Sequence, residues 1–496
     1  MAEADPPART LSLGTGVAAV EAAAWDALAG GGNPFVGHAF LALLEESGSV
    51  GPGTGWQPAP LLVEDGAGRL VAAAPAYLKT HSQGEYVFDH MWADAWERAG
   101  GAYYPKLQIA VPFTPVPGPR LLAAEIDDAT LLLRAAEAVV RQNDLSSAHA
   151  TFVAPEQMPL FEAAGWLLRR DIQFHFANRG YRDFDDFLAT LTSAKRKQLR
   201  KERARAVQGL RIEDVSGNAI RPEHWDAMWA FYQDTGARKW GHPYLTRAAF
   251  DMIGARMADR VLLSIAWQDG RPVAGAMHLI GADTLYGRYW GCLIDIPYLH
   301  FELCYYRAID LAIARGLARV EAGAQGEHKL ARGYLPAQTH SLHWVADPGF
   351  ADAVARFLHE GRLAARLDHH HIVTVHAAGE DSGHYYLAMA YVDGESLDQR
   401  LRRDGVVPEP EALAIVRTIA DALCYAWDEF KLLHRDLKPA NIMVDRRGRV
   451  FLMDLGLAKS LGEDTGMTLS GAILGTPQYM SPEQAMGSSQ LSVQTD

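Results

Sequence analysis

The sequence is poor in cysteine. Among 496 residues there are only three, Cys292, Cys304 and Cys424, and no two of them form a C-x-x-C pair. This usage excludes a disulfide framework and a zinc site built from cysteine thiolates. It is typical of proteins in a reducing compartment, and we therefore expect a cytoplasmic location.

Long apolar runs and a secretion signal are also lacking. No stretch is apolar over the length that a membrane span requires, and the N-terminal MAEADPPARTLSLGTG has no apolar signal-peptide core. The formal net charge of -13 argues against broad electrostatic binding to nucleic acid or to an anionic membrane. The chain is too long for a single hydrophobic core, so several domains are expected.

Two stretches of the sequence repeat one pattern of elements. Residues 60–79 and 260–291 each contain two β-type runs around a Gly-containing turn. Each stretch is followed by a helical segment, ATLLLRAAEAVVRQNDL or FELCYYRAIDLAIARGL, and then by a strand-like run, SAHATFVA or ARVEAGA. We predict an α/β (α+β) fold with two related lobes, residues 1–170 and residues 171–350.

Long continuous motifs within residues 11–357 give a family resemblance. GEYVFDHMWADAWERAG, LYGRYWG and VEAGAQGEHKLARGYLP resemble bacterial peptidoglycan biosynthesis or recognition proteins, which are related to Fem-type peptidyltransferases and to Gcn5-related (GNAT) acyltransferases. The resemblance implies two tandem GNAT-like lobes and a cell-wall precursor as acceptor. The acyl donor stays open between acyl-CoA and aminoacyl-tRNA. The segment after the second hairpin lacks the Gly-rich turn that cradles the pyrophosphate of coenzyme A. An aminoacyl-tRNA donor needs no such turn. Transfer RNA is therefore the only nucleic acid that we expect as a partner.

Polar residues concentrate in and after the last strands of the second lobe. Acyl transfer to an amine needs a base that takes the amine proton, and Glu or His can serve. The candidate acyl-transfer residues are Arg288, Glu302, Glu321, Gln325, Glu327 and His328, with Tyr289, Trp290, His300 and Lys329 in the same group. The alternative is that each of these side chains only holds a loop in place.

A dense cluster of positive charge lies between the two lobes, in SAKRKQLRKERARA at residues 193–206. One interpretation is a solvated helix face that links the lobes. The other is a grip on a phosphate-bearing substrate by Lys195, Arg196 and Arg200, because Arg and Lys favour phosphate oxygens.

The last part of the sequence resembles a different family. LLHRDLKPANIMV at residues 432–444 resembles the catalytic loop of bacterial serine/threonine protein kinases, and FLMDLGLAKSL and GTPQYMSPEQ resemble their metal-binding and activation segments. The resemblance implies a partial kinase domain over residues 351–496, from helix αC to the activation segment. It also implies ATP and Mg²⁺ as cofactors and a protein Ser or Thr as substrate.

The kinase resemblance assigns roles to individual residues. Asp436 would accept the proton of the substrate hydroxyl and Lys438 would reach the γ-phosphate, while Asn441 and Asp454 would bind Mg²⁺. The positions that the resemblance assigns to the nucleotide and its metal are Glu360, Met389, Tyr391, Val392, Asn441 and Asp454.

Two parts of a kinase are missing from this sequence. No G-x-G-x-x-G loop and no V-A-I-K strand stand before Glu360, and the chain stops at Asp496, where further helices would follow. We therefore expect little or no kinase activity from a fusion of the two modules, whether the fusion is natural or a product of recombination. The alternatives are an acyltransferase-like enzyme with an inert kinase remnant, and a non-catalytic scaffold.

Overall fold

A computed structural model gives the fold. It describes residues 8–87, 89–239, 243–323, 327–364, 367, 369–381, 384–434, 436–453, 455, 477–486 and 492–496. The chain divides into two compact units: unit 1 is Met1–Val87 with Tyr104–Ala346, and unit 2 is Phe88–Tyr103 with Asp347–Asp496.

Unit 1 is built on two sheets. Its strands are β1 (Arg9–Leu13), β2 (Trp56–Pro58), β3 (Leu61–Asp65), β4 (Leu70–Ala74), β5 (Ala76–Lys79), β6 (Lys106–Ile109), β7 (Leu122–Ala123), β8 (Ser147–Ala150), β9 (Leu167–Ala177), β10 (Arg211–Ser216), β11 (Val261–Gln268), β12 (Arg271–Ile280), β13 (Thr284–Cys292), β14 (Arg319–Glu321) and β15 (Leu335–Val345). The small sheet has the order β1-β3-β4-β7. The large sheet has the order β10-β11-β12-β13-β14-β9-β15-β8-β6-β5-β2.

The described residues form the helices α1 (Ala22–Ala29), α2 (His38–Glu46), α3 (His90–Arg98), α4 (Ile126–Gln142), α5 (Met158–Ala163), α6 (Phe184–Ala189), α7 (Ser193–Ala206), α8 (Pro222–Lys239), α9 (Arg247–Met257), α10 (Leu299–Phe301), α11 (Arg307–Ala314), α12 (Pro348–Ala364), α13 (Leu397–Asp404), α14 (Glu409–Phe430) and α15 (Pro482–Ala485). Helices α3 and α12 to α15 belong to unit 2. A π-helical turn, Glu302–Tyr306, joins α10 to α11.

The predicted helical segments of unit 1 are helices, and their apolar spacing explains why. In α4 the buried residues Leu132, Ala136 and Val140 lie four positions apart on one face. Asp127 and Asp128 occupy its first turn, where negative charge stabilises a helix. The second predicted segment forms α10, the π-helical turn and α11.

The large sheet repeats one arrangement from each edge towards its centre. On one side β5 pairs with β6 and β6 runs parallel to β8; on the other, β12 pairs with β13 and β13 runs parallel to β14. Helix α4 connects β6 to β8, and α10 with α11 connects β13 to β14. At the centre, β9 pairs with β14 and β15 pairs with β8, so each half receives a strand from the other half's part of the sequence.

The first predicted hairpin differs in position from the second. β3 and β4 form an antiparallel hairpin in the small sheet, whereas β11 and β12 lie in the large sheet with β13. Pro75 separates β4 from β5. Because proline has no N–H to donate to a ladder, it ends β4 and lets the chain pass to the other sheet.

Unit 2 contains two small sheets and a long helix. Its strands are β16 (Val375–Asp381), β17 (His384–Met389), β18 (Gly394–Ser396), β19 (Ile442–Asp445) and β20 (Val450–Leu452). β16 pairs with β17, and β18, β19 and β20 form the second sheet. The buried face of α14 carries Ile415, Ile419, Ala422 and Ala426 at helical spacing, and it shares a core cluster with Leu452.

Unit 2 includes a helix from far upstream in the sequence. Helix α3 contacts α12: the Trp96 ring stacks on Phe350 with centroids 4.6 Å apart, and Trp92 meets Phe357 edge to face at 6.1 Å. Residues 88–103, which the sequence analysis assigned to the first lobe, therefore lie with residues 347–496. Among the described residues, no helix combines the length and the apolar composition needed to cross a bilayer.

Candidate functional site

The polar centre of unit 1 lies where β13 and β14 part. The two strands run in parallel register only as far as Tyr286 opposite Glu321. β14 ends there, while β13 continues to Cys292 alongside β12. The carboxyl ends of parallel strands are common ligand sites, because the diverging strands leave room for a ligand.

Glu321 is the last residue of β14, and its side chain is buried. The residue is 6% exposed, and among the described residues its Oε2 atom has no hydrogen-bond partner. Burial raises the pKa of this carboxyl to about 7, against the opposing charges of Arg319 and Arg288. Near neutral pH the group can therefore take up or release a proton.

Arg288 lies two residues beyond Tyr286, on the part of β13 that β14 no longer accompanies. Its Nη2 donates to the carbonyl oxygen of Phe113. Its Nε is buried and has no hydrogen-bond partner in the part of the chain that the structure describes. Two aromatic rings, those of Phe35 and Tyr289, each lie 5.5 Å from the guanidinium carbon. The arginine thus keeps one N–H donor that no described residue engages, and its positive charge acts on the Glu321 carboxyl.

Two further titratable side chains are buried near this point: Lys329, which the sequence placed in the candidate group, and His278, which it did not. Burial lowers the pKa of Lys329 to about 7, and its Nζ donates to the carbonyl oxygen of Gly323 at 2.8 Å, two residues after Glu321. His278 faces Gly287 across β12 and β13, and burial lowers its pKa to about 4. Its position, a lone histidine in the apolar run VAGAMHLI, is the signal that could have identified it.

Glu302 lies elsewhere, in the π-helical turn. Its carboxylate accepts two hydrogen bonds from Arg203, at 2.9 Å from Nε and 2.8 Å from Nη2. Arg203 also contacts Asp310 at 2.6 Å. Both oxygens of Glu302 are therefore engaged in an ion pair, and the structure does not bring this residue together with Glu321.

The three residues of the predicted phosphate grip are on α7, and two are already paired. Arg196 donates to the carbonyl oxygen of Leu191 at 2.6 Å, just after the end of α6. Arg200 forms an exposed ion pair with Asp185 at 2.8 Å. Lys195 forms no ion pair with any described residue.

Several predicted site residues lie outside the described part of the chain. Gln325 and Asp454 are not described. Glu327 and His328 belong to a short 3₁₀ helix, and Glu360 belongs to α12, but their side chains are not described either. Their predicted roles stay predictions.

The catalytic-loop residues of unit 2 lie together. The Lys438 ammonium is 2.6 Å from the Asp436 carboxylate, and Asn441 Nδ2 donates to the Asp436 carbonyl oxygen at 2.9 Å. A 3₁₀ turn, Pro439–Asn441, brings the asparagine back to the aspartate. Because its amide nitrogen is engaged, the side-chain oxygen of Asn441 is the atom left for a metal, and a carboxamide oxygen is a ligand that Mg²⁺ accepts.

Backbone contacts anchor this loop. His434 Nε2 bonds the carbonyl oxygen of Met453 at 2.8 Å, and the Met453 N–H donates to the Asn441 carbonyl oxygen at 2.9 Å. The His434 N–H donates to the Asp496 carboxylate. Met453 immediately precedes Asp454, so these bonds hold the chain before the predicted metal ligand next to Asn441.

The predicted hinge follows β17. Met389 ends that strand and is half-buried, as is Val392, whereas the Tyr391 side chain is 87% exposed. The Ala390 N–H donates to the Thr374 carbonyl oxygen at 2.9 Å. The residues of the predicted hinge thus lie at an accessible strand end, and their role in binding a nucleotide stays a prediction.

Two family models match the chain. A FemAB-like family, described as peptidoglycan biosynthesis/recognition, matches residues 16–376, and the protein kinase domain matches residues 347–496. The two matches confirm the two family resemblances and the predicted fusion. Both are transferase families, in agreement with the predicted enzyme class.

The curated relatives resemble only the C-terminal part. The chain is 40% identical over 147 residues to serine/threonine-protein kinase PknB of Mycobacterium leprae, covering 29% of this chain and 23% of PknB. It is 37% identical over 134 residues to PrkC of Bacillus subtilis, covering 27% and 20%. A solved PknI kinase domain of M. tuberculosis is 35% identical over 29% of this chain and 51% of the other, with a TM-score of 0.24. The chain thus spans about a fifth to a quarter of the length of these curated kinases.

Proposed function

Because the chain belongs to the FemAB-like peptidoglycan biosynthesis/recognition family, we propose that unit 1 is an acyl- or aminoacyltransferase in which Glu321 is the general base. The observation that carries the proposal is the buried Glu321 carboxyl, with a pKa of about 7 and an oxygen that no described residue engages. A base works best when its pKa lies near the working pH. Such a group is costly to bury, which favours a catalytic role over a purely structural one.

The proposed reaction follows from the two charged groups. Glu321 takes a proton from the acceptor amine, whose nitrogen attacks the acyl carbonyl carbon and forms the new C–N bond. The Arg288 guanidinium stabilises the negative charge that develops on the carbonyl oxygen. The C–O bond to a tRNA ribose, or the C–S bond to coenzyme A, then breaks, and the leaving group takes up the proton from Glu321.

The symmetry of the large sheet supports two GNAT-like lobes. Each half contains an antiparallel strand, a parallel pair and a crossover helix in the same order. We place Glu321 and Arg288 in the second lobe, with a cell-wall precursor as the acceptor. A transfer assay with each donor distinguishes acyl-CoA from aminoacyl-tRNA.

The test is transfer of a labelled aminoacyl or acetyl group to a cell-wall precursor. We expect Glu321→Gln to lower the rate by roughly 10²- to 10⁴-fold, because general base catalysis contributes about that much. Glu125→Gln, at the exposed N-terminus of α4, is the matched control and should leave the rate unchanged. A Glu321→Gln variant with the wild-type rate would contradict the proposal.

We propose a second, weaker activity for unit 2, namely impaired transfer of phosphate from ATP to a protein Ser or Thr. The observation that favours it is the contact of Asp436 with Lys438 and Asn441. ATP and Mg²⁺ would supply the phosphate and its charge compensation. Asp436 would receive the hydroxyl proton, Lys438 would contact the γ-phosphate, and Asn441 with Asp454 would hold the metal.

Impairment is expected because no G-x-G-x-x-G loop and no V-A-I-K strand precede Glu360 in the sequence. Loss of a preorganised phosphate clamp costs several orders of magnitude in rate. We expect Mg²⁺-dependent labelling of a generic Ser/Thr substrate to be only slightly above that by Asp436→Asn. Labelling far above this variant would show an unimpaired kinase, whereas labelling equal to it, without nucleotide-induced thermal stabilisation, would show an inert remnant or scaffold.

A further inference from the structure

Helix α7 has an inner and an outer side. On the inner side Arg203 pairs with Glu302, and Glu202 accepts hydrogen bonds from Tyr306 and Arg332. On the outer side Lys197, Lys201 and Arg205 are exposed and form no ion pair with any described residue. They lie four positions apart, so they share one face of the helix.

The one acidic residue of this helix, Glu202, is buried on the inner side and pairs with Arg332, so it does not compensate the three outer cations. Like charges at spacing i,i+4 repel and weaken a helix. The rest of the chain is acidic, with a formal net charge of -13, and it supplied acidic partners to Arg200 and Arg203 on the same helix. A row of three cations that no described acidic residue pairs with therefore favours an anionic ligand outside the chain.

Exposed apolar residues lie in the loop that meets one end of this row. Leu293 and Ile294, in the loop after β13, are 54% and 47% exposed, and Tyr298 at the other end of the loop is 36% exposed. The Arg205 guanidinium carbon is 5.8 Å from the Tyr298 ring centroid, so the loop adjoins the end of the row. The Leu293 N–H donates to the Val273 carbonyl oxygen at 2.8 Å, which anchors the loop to β12.

We propose that this lipid-docking face, formed by Lys197, Lys201, Arg205, Leu293, Ile294 and Tyr298, binds the surface of an anionic lipid bilayer. Lysine and arginine are attracted to anionic headgroups, aliphatic side chains enter the boundary between headgroups and acyl chains, and tyrosine favours that interface. A nucleic acid would use the cations and stack on the tyrosine, but it offers nothing to the exposed Leu293 and Ile294 of the same loop.

The acidic charge of the whole chain does not prevent this docking. At physiological ionic strength the Debye length is about 8 Å, so the headgroups respond to the charges nearest to them. The net charge argues against broad binding to an anionic membrane, whereas the proposed docking is confined to one face on which cations are segregated. This docking does not depend on the proposed transfer reaction.

The test is flotation of the full chain with vesicles of phosphatidylcholine alone and of phosphatidylcholine mixed with phosphatidylglycerol. We expect the chain to float only with the anionic vesicles, and less so as salt rises. Because each basic residue near an anionic surface contributes about a fivefold gain, the triple variant Lys197→Glu/Lys201→Glu/Arg205→Glu should lower partitioning by roughly a hundredfold. The charge-matched control is Arg134→Glu/Arg170→Glu/Arg315→Glu, at exposed positions on other elements.

The apolar part is tested by Leu293→Ser/Ile294→Ser, which should remove the binding that persists at high salt. Its control is Ile126→Ser, at a residue that is 69% exposed on α4. Equal flotation of both triple variants, or an unchanged Leu293→Ser/Ile294→Ser variant, would overturn the proposal. Binding to polyuridylate without flotation, lost in the α7 triple variant, would also overturn it by assigning the cations to nucleic acid.

Discussion

Glu321 is a carboxyl group whose burial couples its protonation to stability. Its pKa is 4.5 when unperturbed and about 7 in the fold. Between these values the folded chain keeps a proton that the unfolded chain has lost, so stability falls as the pH rises through this window. Above pH 7 the fold holds a buried charged carboxylate.

The first prediction concerns the variant Glu321→Gln, whose neutral side chain removes the free-energy cost of burying a charged carboxylate. Its free energy of unfolding relative to wild type should rise by about 3 kcal/mol between about pH 4.5 and about pH 8. Urea denaturation curves, followed by tryptophan fluorescence at the two pH values, measure the change. A difference between variant and wild type that stays constant with pH would contradict the buried state of this carboxyl.

Single residues also mark the limit of what the sequence predicts. Glu321 and Glu302 both follow from the same reasoning, that a carboxylate near the second lobe's strands can act as a base. The structure distinguishes the two carboxylates, because Arg203 engages both oxygens of Glu302 whereas no described residue engages Oε2 of Glu321. That partner is 99 residues away in the sequence, so no local pattern predicts the pair.

At the scale of elements, Arg203 is one of the residues that attach α7 to its surroundings. This guanidinium bridges Glu302 and Asp310, and its carbon lies 4.3 Å from the Phe184 ring centroid. The Glu302 side chain is 1% exposed. Removing its partner would leave a buried charge without compensation.

The second prediction compares two arginines of this helix. Arg203→Ala should lower the free energy of unfolding by about 3–5 kcal/mol, because it leaves Glu302 buried and unpaired. Arg200→Ala should cost about 0–1 kcal/mol, because both partners of its ion pair are exposed. Chemical denaturation of the two variants measures the difference, and equal losses would show that the Arg203 contacts do not hold the helix.

Element prediction succeeded where the pattern is local. Both hairpins, both crossover helices and both returning strands lie where apolar spacing and Gly-containing turns indicated them. The exchange of β9 and β15 at the centre of the sheet was not predicted, because strand pairing across more than a hundred residues leaves no periodic signal in either strand.

At the scale of the whole molecule, the two compact units of the structure have different boundaries from the domains predicted along the sequence. Residues 88–103 lie with the C-terminal unit, because Trp92 and Trp96 contact the phenylalanines of α12. Their position in the sequence places them in the first lobe, because the segments before and after them belong to it. Only tertiary contacts show that they belong to the other unit.

The third prediction concerns truncation. A chain that ends at Ala346 loses α12 and exposes the Trp92 and Trp96 faces of α3, so it should bind an apolar dye and aggregate. A chain that ends at Ala364 keeps the helix and should bind less dye. Trp92→Ser/Trp96→Ser in the shorter chain should lower dye binding, and an unchanged signal would show that the exposed surface lies elsewhere.

Helix α12 lies where the two family matches overlap, at residues 347–376. The same helix is therefore the end of the FemAB-like match and the beginning of the protein kinase match. A substitution in this helix must therefore be compatible with both modules, whereas in an unfused protein it must be compatible with only one. Among descendants of this fusion we expect fewer accepted changes at Phe350 and Phe357 than at the same helix positions in unfused members of either family.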